Sequence, residues 1–473
     1  MNILFARLAA AGALVATLAA CAVGPDYQRP SLNVPSAFKQ AEAGGALWQP
    51  AAVRPVDSAR WWTVYDDEVL NGLMDKLNRQ NFSIAEAEAR YRSAAAAVRQ
   101  AEAGFYPTVG ADASRSRSRA NSNGEAVYGT VDAAGLSVSW LPDLWGSVRR
   151  QTEAGRASAD AAAAALAAAK LAAQAQLADA YLKLVVADRQ LAALQQNVKD
   201  TKQFLQLTQN QYRAGIADQS TVEQANSQLK TLQAQQAALH LSRAQLEHAI
   251  AAALGEAPAA FSLDSRHEEV GLPQIPAGLP SGLLQRRPDI AEAEREVAAA
   301  NAQIGVAKAA YFPSLTLGGS IGFRGSSFAD LLNLPNLVWS VGPQLAATLF
   351  DGGQRRAATA QARADYEAAV AAYRQTVITA FQEVEDNLAA QRRLAEQARY
   401  QGEALESARK AETIMMNQYK AGVASYLQVL TARSSRLSAE SSWWSVKSSQ
   451  YSASVSLIAA LGGSIPAEDS SSR

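Results

Sequence analysis

The chain has 473 residues, with 44 Lys and Arg residues against 44 Asp and Glu residues, and it has a single cysteine. This balance of charge gives no electrostatic reason to expect nucleic-acid binding. One cysteine excludes an intrachain disulfide and a cysteine-based metal site. Beyond the N-terminal region no window offers about 18 consecutive apolar residues, so transmembrane helices are not predicted.

The N-terminal region carries an export pattern. A short start with one positive charge, Met1–Arg7, precedes an apolar run, Leu8–Leu18, that is too short to span a bilayer. Small residues then lead to Cys21 in Leu-Ala-Ala-Cys, a pattern that resembles the bacterial lipoprotein signal. We predict a signal peptide over residues 1–20 and a covalent lipid on Cys21, with no other cofactor. The alternative is an ordinary signal peptide with a chance cysteine.

The rest of the chain contains a tandem duplication. Asn210–Ala217 (NQYRAGIA) returns as Asn417–Ala424 (NQYKAGVA), and Ile84–Glu88 (IAEAE) returns as Ile290–Glu294. Further pairs in the same register are Gly104–Pro107 with Ala310–Pro313, Arg149-Arg150 with Arg355-Arg356, and Leu254-Gly255 with Leu461-Gly462. Landmarks that share a period of about 206 residues predict one structural unit that occurs twice.

Each copy contains two predicted strands, at about residues 105–141 and 313–350. In the second copy apolar residues alternate with small or polar ones, which is typical of a strand with two different faces. The alternation is weaker in the first copy, where the clearest apolar stripe runs from Leu136 to Trp140. We predict a polar loop there near Arg115–Gly124. Strands of about ten residues suit a tilted crossing of a bilayer.

Each copy also contains a long predicted helical hairpin, at about residues 148–254 and 353–461. Apolar residues recur every seven positions, starting from Leu177 in the first copy and from Leu430 in the second. A seven-residue repeat sustained over this length predicts coiled-coil packing. Alanine fills many of the remaining positions, which favours helix.

Four strands that cross a membrane require more than one chain. Every backbone polar group in lipid must be paired, so an open four-stranded sheet is not viable there. Three chains would supply twelve strands, an even number within the range of known barrels. Two or four chains would also satisfy closure.

Seven motifs are spread along the chain. They are Cys21–Pro30 (CAVGPDYQRP), Trp61-Trp62, Asp143–Gly146 (DLWG), Leu283–Glu294 (LLQRRPDIAEAE), Tyr311–Leu315 (YFPSL), Leu349–Gln354 (LFDGGQ) and Asn417–Leu430 (NQYKAGVASYLQVL). Together they resemble the outer-membrane factors, the TolC-like exit ducts of tripartite efflux systems, and especially their lipid-anchored branch. The resemblance covers nearly the whole chain from Cys21 to about Gly463.

The resemblance implies a mixed α and β membrane protein that forms a homotrimer. Four strands per chain would contribute to a twelve-stranded outer-membrane β-barrel, continued by a long periplasmic α-helical barrel of coiled-coil hairpins. It also implies docking to a periplasmic adaptor and to an inner-membrane pump, often of the RND type, and contact with outer-membrane lipid. Ala22 follows Cys21 in place of the Asp that retains some lipoproteins at the inner membrane. This favours the outer membrane.

The predicted domains follow from the repeat and the resemblance. In chain order they are a signal peptide (1–20), a lipid-anchored segment with the start of an equatorial domain (21–81), repeat 1 (82–264), a linker (265–287), repeat 2 (288–463) and a disordered tail (464–473).

No set of residues predicts catalysis. His240 and His248 lie eight apart on a polar helix without a cysteine or carboxylate at ligand spacing, and we interpret them as exposed. Glu383, Glu385 and Asp386 are interpreted as a solvated helix face. We predict that the protein is not an enzyme.

The predicted functional residues lie at the hairpin tips instead. Small side chains there would let a partner approach the backbone, and the resemblance assigns the tips to adaptor contact; the alternative is simple helix termination. The tip residues are Gly215, Ile216, Ala217, Gly422, Val423 and Ala424.

A periplasmic gate is predicted just beyond the second tip. Members of the lipid-anchored branch narrow the channel there with a leucine and, one turn later, an aspartate. Leu427 matches the leucine, but Thr431 stands at the aspartate position, so we predict a constriction by Leu427 with a weaker charge gate. Arg433 and Arg436 are interpreted as ordinary surface charges, with tethers between helices as the alternative.

The sequence therefore predicts a passive outer-membrane exit duct that carries small molecules from an inner-membrane transporter and its adaptor to the exterior. Two alternatives stay open. A type I secretion duct exports proteins through the same architecture. A trimeric coiled-coil adhesin combines heptads with a barrel, but would have one membrane anchor at one end. A soluble periplasmic enzyme is the least supported class, because it leaves the alternating apolar stripes unexplained.

Overall fold

A computed structural model describes residues 23–32, 34–35, 38–39, 58–122, 125–273, 275 and 286–463 of the chain. The predicted signal peptide (1–20), the predicted lipid site Cys21 and the predicted tail (464–473) lie outside the described residues. The same is true of much of the predicted linker (265–287).

The helices and strands of the described residues are numbered here in chain order. They are α1 (Glu68–Gln80), α2 (Phe82–Ala103), β1 (Thr108–Ser122), β2 (Glu125–Trp140), α3 (Ser147–Arg213), α4 (Gln219–Ala253), α5 (Pro288–Ala309), β3 (Ser314–Gly325), β4 (Leu337–Ala346), α6 (Gln354–Lys420) and α7 (Tyr426–Ala460). A 3₁₀ helix, Ser58–Tyr65, precedes α1.

The lengths of the helices confirm the duplication. α2 and α5 each have 22 residues, α3 and α6 each have 67, and α4 and α7 each have 35. α6 begins 207 residues after α3, and α7 begins 207 residues after α4. Only the strands differ: β1 and β2 have 15 and 16 residues, whereas β3 and β4 have 12 and 10. The first strand hairpin therefore extends beyond the second.

The strands form one antiparallel sheet in the order β1-β2-β3-β4. The predicted polar loop near Arg115–Gly124 is wrong, because β1 pairs with β2 from Thr108 as far as Ser122. Arginines and serines alternate along this part of β1 with the period of a strand. Because the alternating residues are both polar, hydrophobic periodicity does not indicate a strand here.

The sheet has one apolar and one polar face. Cross-strand partners share a face, as Leu136, Ile321 and Trp339 do on the apolar face. Ser320 and Ser340 are partners on the polar face, and their hydroxyls are 2.9 Å apart. The apolar face carries Val109, Leu136, Val138, Trp140, Leu315, Leu317, Ile321, Phe323, Leu337, Trp339, Val341 and Leu345. We call these residues the apolar belt.

The chain divides into two compact units. The first comprises Met1–Leu32, Ala89–Ala164 and Glu292–Gln375, and it contains the sheet. The second comprises Asn33–Glu88, Ala165–Ala291 and Thr376–Arg473, and it contains both turns between the long helices.

In the first unit, the segment at residues 23–29 is fastened to the helices that flank the strands. The amide of Val23 donates to the carbonyl of Trp145 (3.1 Å), just before α3. Arg150, which is buried, pairs with Asp26 at 2.9 Å and also donates to the carbonyl of Val23. Asn301 of α5 donates to the carbonyl of Pro25 (3.0 Å). Both repeats therefore hold this segment.

The core of the second unit is aromatic and aliphatic. Trp61, Trp62 and Tyr65 of the 3₁₀ helix are buried there, together with heptad residues such as Leu177 of α3 and Ile458 of α7. Burial of a large side chain contributes about 1.5 to 3 kcal/mol. The heptad positions therefore act as a core, as the sequence predicts.

One buried ion pair joins the predicted linker to this core. Asp67 caps α1 by accepting from the amide of Leu70 (2.9 Å), and Arg266 pairs with it at 2.6 Å. The hydroxyl of Tyr181 lies 3.1 Å from both oxygens of Asp67, and Arg266 donates to it at 2.8 Å. Burial and the charge of Asp67 raise the pKa of Tyr181. Burial alone would lower the pKa of Arg266, but these hydrogen bonds raise it, so the guanidinium is always charged.

α3 contains a stretch that is long and apolar enough, by composition, to cross a membrane. This stretch of α3 is not a run of consecutive apolar residues, so no transmembrane helix is predicted here from the sequence. α3 is alanine-rich, and alanine favours helix and lets neighbouring helices approach closely. With 67 residues, α3 is more than three times as long as the ~20 residues that a membrane helix needs. Its composition suits a long coiled coil.

Candidate functional site at the hairpin tips

The two hairpin tips have the same hydrogen-bonded turn. In the first, the amide of Gly215 donates to the carbonyl of Tyr212 (2.9 Å), and that of Ile216 donates to the carbonyl of Gln211 (2.8 Å). In the second, Gly422 donates to Tyr419 (3.0 Å) and Val423 donates to Gln418 (2.9 Å). This arrangement ends an α-helix through a glycine in the left-handed conformation.

Glycine is required at the tips because of the backbone conformation there, and not because neighbouring atoms leave too little room for a side chain. Gly215 has φ +74° and Gly422 has φ +76°, while a Cβ atom added at either position would meet nothing within 4 Å. Ile216 and Val423, which follow them, are 76% and 79% exposed. Each tip therefore exposes an open backbone and one apolar side chain.

Replacing Gly422 with alanine is expected to loosen the second tip. The left-handed conformation costs a residue with a Cβ atom roughly 1 to 2 kcal/mol. Hydrogen exchange at the Val423 amide should therefore accelerate by about fivefold to thirtyfold. Gly72→Ala is the matched control, because Gly72 also has open space around it but lies within α1, where alanine is favoured. An unchanged Val423 amide in Gly422→Ala would contradict this explanation.

An aromatic cluster lies directly behind the tips. The rings of Phe204 and Tyr426 are stacked with centroids 4.4 Å apart, and Tyr419 packs against both. The hydroxyl of Tyr419 also donates to Gln211 across the two hairpins (3.3 Å). Burial raises the pKa of Tyr426 to about 12, so this ring is neutral at physiological pH. The cluster joins α3 of the first hairpin to α6 and α7 of the second.

A cluster of charged side chains follows on α6 and α7. We call Arg409, Glu412, Arg433, Arg436 and Glu440 the charged cluster. Arg433 pairs with Glu412 at 2.7 Å, and Arg436 pairs with the other oxygen of the same carboxylate. Arg436 also pairs with Glu440 at 2.7 Å, and Arg409 pairs with Glu440 at 3.1 Å. Apart from Arg409, these side chains are only 11% to 14% exposed.

The charged cluster also binds the first hairpin. Arg436 donates to the side-chain oxygen of Asn197 (2.8 Å), and Arg433 lies 3.3 Å from the hydroxyl of Thr201. The interpretation of Arg433 and Arg436 as ordinary surface charges is therefore wrong, and the alternative, tethers between helices, is correct. The spacing of Arg433, Arg436 and Glu440 at i, i+3 and i+7 places them on one helix face, and this signal was available in the sequence.

The predicted gate residues lie on an exposed face of α7. Leu427 is 57% exposed within the single chain. The hydroxyl of Thr431 donates to the carbonyl of Leu427 (2.9 Å), and the carbonyl of Thr431 accepts from the hydroxyl of Ser435 (3.1 Å). The Thr431 hydroxyl is therefore hydrogen-bonded within its own helix. This face of α7 exposes the apolar side chain of Leu427, and the residue one turn later, Thr431, carries no charge.

The histidines and carboxylates form no metal centre among the described residues. His240, His248 and His267 are exposed. Glu383, interpreted from the sequence as part of a solvated face, is 47% exposed and pairs with Arg287 at 2.7 Å. Arg287, which is 9% exposed and lies just before α5, is thereby linked to α6.

Comparison with known proteins places these features in a family. The chain matches the model of the outer membrane efflux protein family over residues 73–256 and 279–463. It is 33% identical over 453 residues to nodulation protein T of Rhizobium leguminosarum bv. viciae, which covers 92% of this chain and 89% of that protein. It is 32% identical over 437 residues to the pyoverdine export outer membrane protein OpmQ of Pseudomonas putida, covering 88% of this chain and 91% of that protein.

A solved structure agrees with these matches. The CmeC outer membrane channel of Campylobacter jejuni has a TM-score of 0.88 at 25% identity, covering 95% of this chain and 96% of that chain. A sheet with one apolar face, followed in the chain by long helical hairpins, agrees with the fold of these outer-membrane channels. The chain belongs to the outer membrane efflux protein family.

Family membership decides several predictions. The predicted fold class and the location, in the outer membrane and extending into the periplasm, are confirmed. The prediction that the protein is not an enzyme is confirmed, because the channels of this family are non-enzymatic. The family also favours an efflux duct over a coiled-coil adhesin. The roles of the tip residues, of Leu427 and Thr431 and of Cys21 stay predictions.

Proposed function

We propose that this protein is the outer-membrane exit duct of a tripartite efflux pump and that three copies form it. The observation that carries the proposal is the open sheet, whose edge strands are β1 and β4. Because unpaired backbone groups are not viable in lipid, β4 of one chain must pair with β1 of the next. Three chains give twelve strands, with the polar face towards a water-filled lumen.

The hairpin tips are proposed to dock a periplasmic adaptor, which connects the duct to an inner-membrane pump, often of the RND type. Gly215-Ile216-Ala217 and Gly422-Val423-Ala424 form matching turns with an exposed apolar residue at the same place. An adaptor hairpin could therefore meet two equivalent surfaces on each chain. The energy for transport would come from the pump, while the duct supplies a passive path.

The path is proposed to be closed at the hairpin ends by Leu427, and the charged cluster would hold α7 in the closed position. Thr431 adds no charge, so the closure is steric rather than electrostatic. Small molecules would cross without tight binding, because the polar face of the sheet carries small, mostly uncharged side chains. Drugs, solvents, dyes and siderophores all fit such a path.

Cys21 is proposed to carry a lipid. Val23, two residues later, is fixed by its hydrogen bond to Trp145, which lies between the end of β2 and the start of α3. Val23 therefore lies close to the strand ends that are proposed to face the periplasm, which supports a lipid attached two residues earlier. The lipid would therefore enter the inner leaflet beside the barrel.

Replacing Leu427 with alanine is expected to enlarge the closed opening and to raise passive leak. The test is single-channel conductance of the purified full-length protein in a planar bilayer, together with its mass in the same detergent. Small, mostly closed events in the native trimer should become larger in Leu427→Ala. Leu241→Ala is the matched control, because Leu241 is 60% exposed but lies on α4 in the first hairpin.

Two outcomes would contradict the proposal. A protein that forms no channel, with or without the mutation, would remove the barrel. A channel whose conductance rises equally in Leu241→Ala and Leu427→Ala would leave the duct in place but would remove Leu427 as the gate.

A further inference from the structure

Three arginines lie in a row on the apolar face of the sheet. Arg115, Arg117 and Arg119 alternate along β1 with Ser116 and Ser118, so all three point to the same side. Val109 occupies that side of β1 near its start. The face that carries the apolar belt therefore also carries three positive charges, at the end of β1 away from the helices.

The row begins where the apolar belt ends. Cross-strand pairing joins Ala113, Ala134, Phe323 and Leu337 in one register, which is the last that contains residues of the belt. The next register on this face joins Arg115, Asp132 and Gly325. β3 then ends, and only the longer first hairpin continues to Arg117 and Arg119.

The position of this boundary matches the thickness of a membrane. The belt extends from Leu315 to Phe323 along β3, and the register of Arg115 follows at Gly325, ten residues after Leu315. Ten residues at roughly 3.3 Å each, in a strand tilted by about 40°, rise by about 25 Å along the membrane normal. The apolar band of a membrane barrel is about 25 Å tall. Arg115 therefore lies where the lipid headgroups begin, and Arg117 and Arg119 lie within the headgroup region. The helices join the other end of the sheet, so this boundary faces the outer leaflet.

The contacts of the three arginines leave a surplus of positive charge. Arg115 lies 3.2 Å from Asp132, whose side chain is 1% exposed. Arg117 and Arg119 both lie over the ring of Tyr128, at 5.9 Å and 5.8 Å from its centroid. Within the described part of the chain, neither of these two pairs with a carboxylate. Tyr128 is 61% exposed, as expected for an aromatic residue at the membrane interface.

We propose that Arg117 and Arg119, supported by Arg115 and Tyr128, bind the phosphate groups of lipopolysaccharide in the outer leaflet. Arginine binds phosphate through two parallel hydrogen bonds, and its charge is never lost. The apolar belt below the row would contact the acyl chains of the same lipid. This proposal rests on the outer-membrane location of the family and does not depend on which molecules the duct carries.

The test is titration of the purified, full-length oligomer in detergent with lipopolysaccharide. In Arg117→Ser/Arg119→Ser, serine keeps this part of β1 polar, and Arg115 stays in place to pair with buried Asp132. We expect lipopolysaccharide binding to weaken by about tenfold to thirtyfold, since a basic residue near an anionic lipid surface contributes on the order of 1 kcal/mol. Arg324→Ser is the matched control, because Arg324 is exposed on the polar face of the same sheet.

Phosphatidylcholine and inorganic phosphate serve as the other two probes. The proposal is supported if the double variant binds lipopolysaccharide more weakly, while its binding of the other two probes and the binding by Arg324→Ser are unchanged. Equal weakening in Arg324→Ser would show a general effect of net charge and would overturn it. Inorganic phosphate that competes at equal concentration would indicate a site for a free anion, and unchanged lipopolysaccharide binding in a folded double variant would remove the site altogether.

Discussion

Replacing Arg436 with methionine is expected to make the channel leak. Arg436 binds Glu412 and Glu440 as well as Asn197, so it connects α7 to both α6 and α3. Its side chain is 12% exposed, and those of the two glutamates are 14% and 11% exposed. Glu412 and Glu440 would keep Arg433 and Arg409 as partners, so the expected cost comes from the hydrogen bonds that Arg436 loses. A hydrogen bond to a charged group contributes about 1.5 to 3 kcal/mol, and a total of about 3 kcal/mol is therefore expected.

In the proposed mechanism, the substitution would destabilise the closed state by this amount relative to the open state. A bias of about 3 kcal/mol brings a two-state equilibrium of 99:1 close to equal populations. Conductance of the purified, full-length protein should therefore show a large increase in the open fraction. Cells that carry the variant should also become sensitive to antibiotics that are normally too large to cross the outer membrane.

Arg393→Met provides the matched control for this experiment. Arg393, on α6, also forms an ion pair, with Glu396 at 3.0 Å, but its side chain is 71% exposed. Such an exposed pair contributes at most about 1 kcal/mol. A leak of similar size in both variants would contradict the assignment of the charged cluster to closure. So would a tightly closed, correctly assembled Arg436→Met channel.

The periodic parts of the fold could be predicted from the sequence. The period of seven from Leu177 and from Leu430 identifies both hairpins, and the period of two in β3 and β4 identifies a strand pair. These patterns are local, because each follows from the geometry of a single element. β1 escaped the same analysis, since its alternating residues are Ser and Arg rather than polar and apolar.

The contacts between elements could not be predicted in the same way. Asn197 and Arg436 are 239 positions apart, and Val23 and Arg150 are 127 apart. A helix shows which of its residues share a face, but it does not show what that face meets. The i, i+3, i+7 spacing on α7 therefore indicates a charged stripe, whereas only the packed structure shows that this stripe is inside the protein and joins two hairpins.

The same limit applies to the predicted linker. Arg266 lies in a segment without helix or strand, where an arginine is usually solvated. The structure pairs it with Asp67, whose side chain is 2% exposed and which begins α1. A residue that the sequence places in a connection therefore compensates one of the most buried carboxylates of the second unit.

Replacing Arg266 with methionine is the second change for which a large effect is expected. Asp67 would keep its hydrogen bonds from Leu70 and Tyr181 but would lose its only charged partner among the described residues. We expect the free energy of unfolding to fall by about 3 kcal/mol or more. The measurement is the unfolding midpoint of the purified protein in detergent. Arg60→Met is the control, because the pair of Arg60 with Asp75 is about half exposed.

The double variant Asp67→Asn/Arg266→Met separates the two causes of such a loss. Asparagine caps a helix about as well as aspartate, so α1 keeps its N-terminal cap while the buried charge disappears. If the stranded carboxylate causes the instability, the double variant should unfold later than Arg266→Met, although it has lost more native contacts. If the lost attachment of the linker is the cause, removing the charge as well cannot restore stability. A double variant no more stable than Arg266→Met would therefore show that Arg266 acts by holding the linker, and not by compensating Asp67.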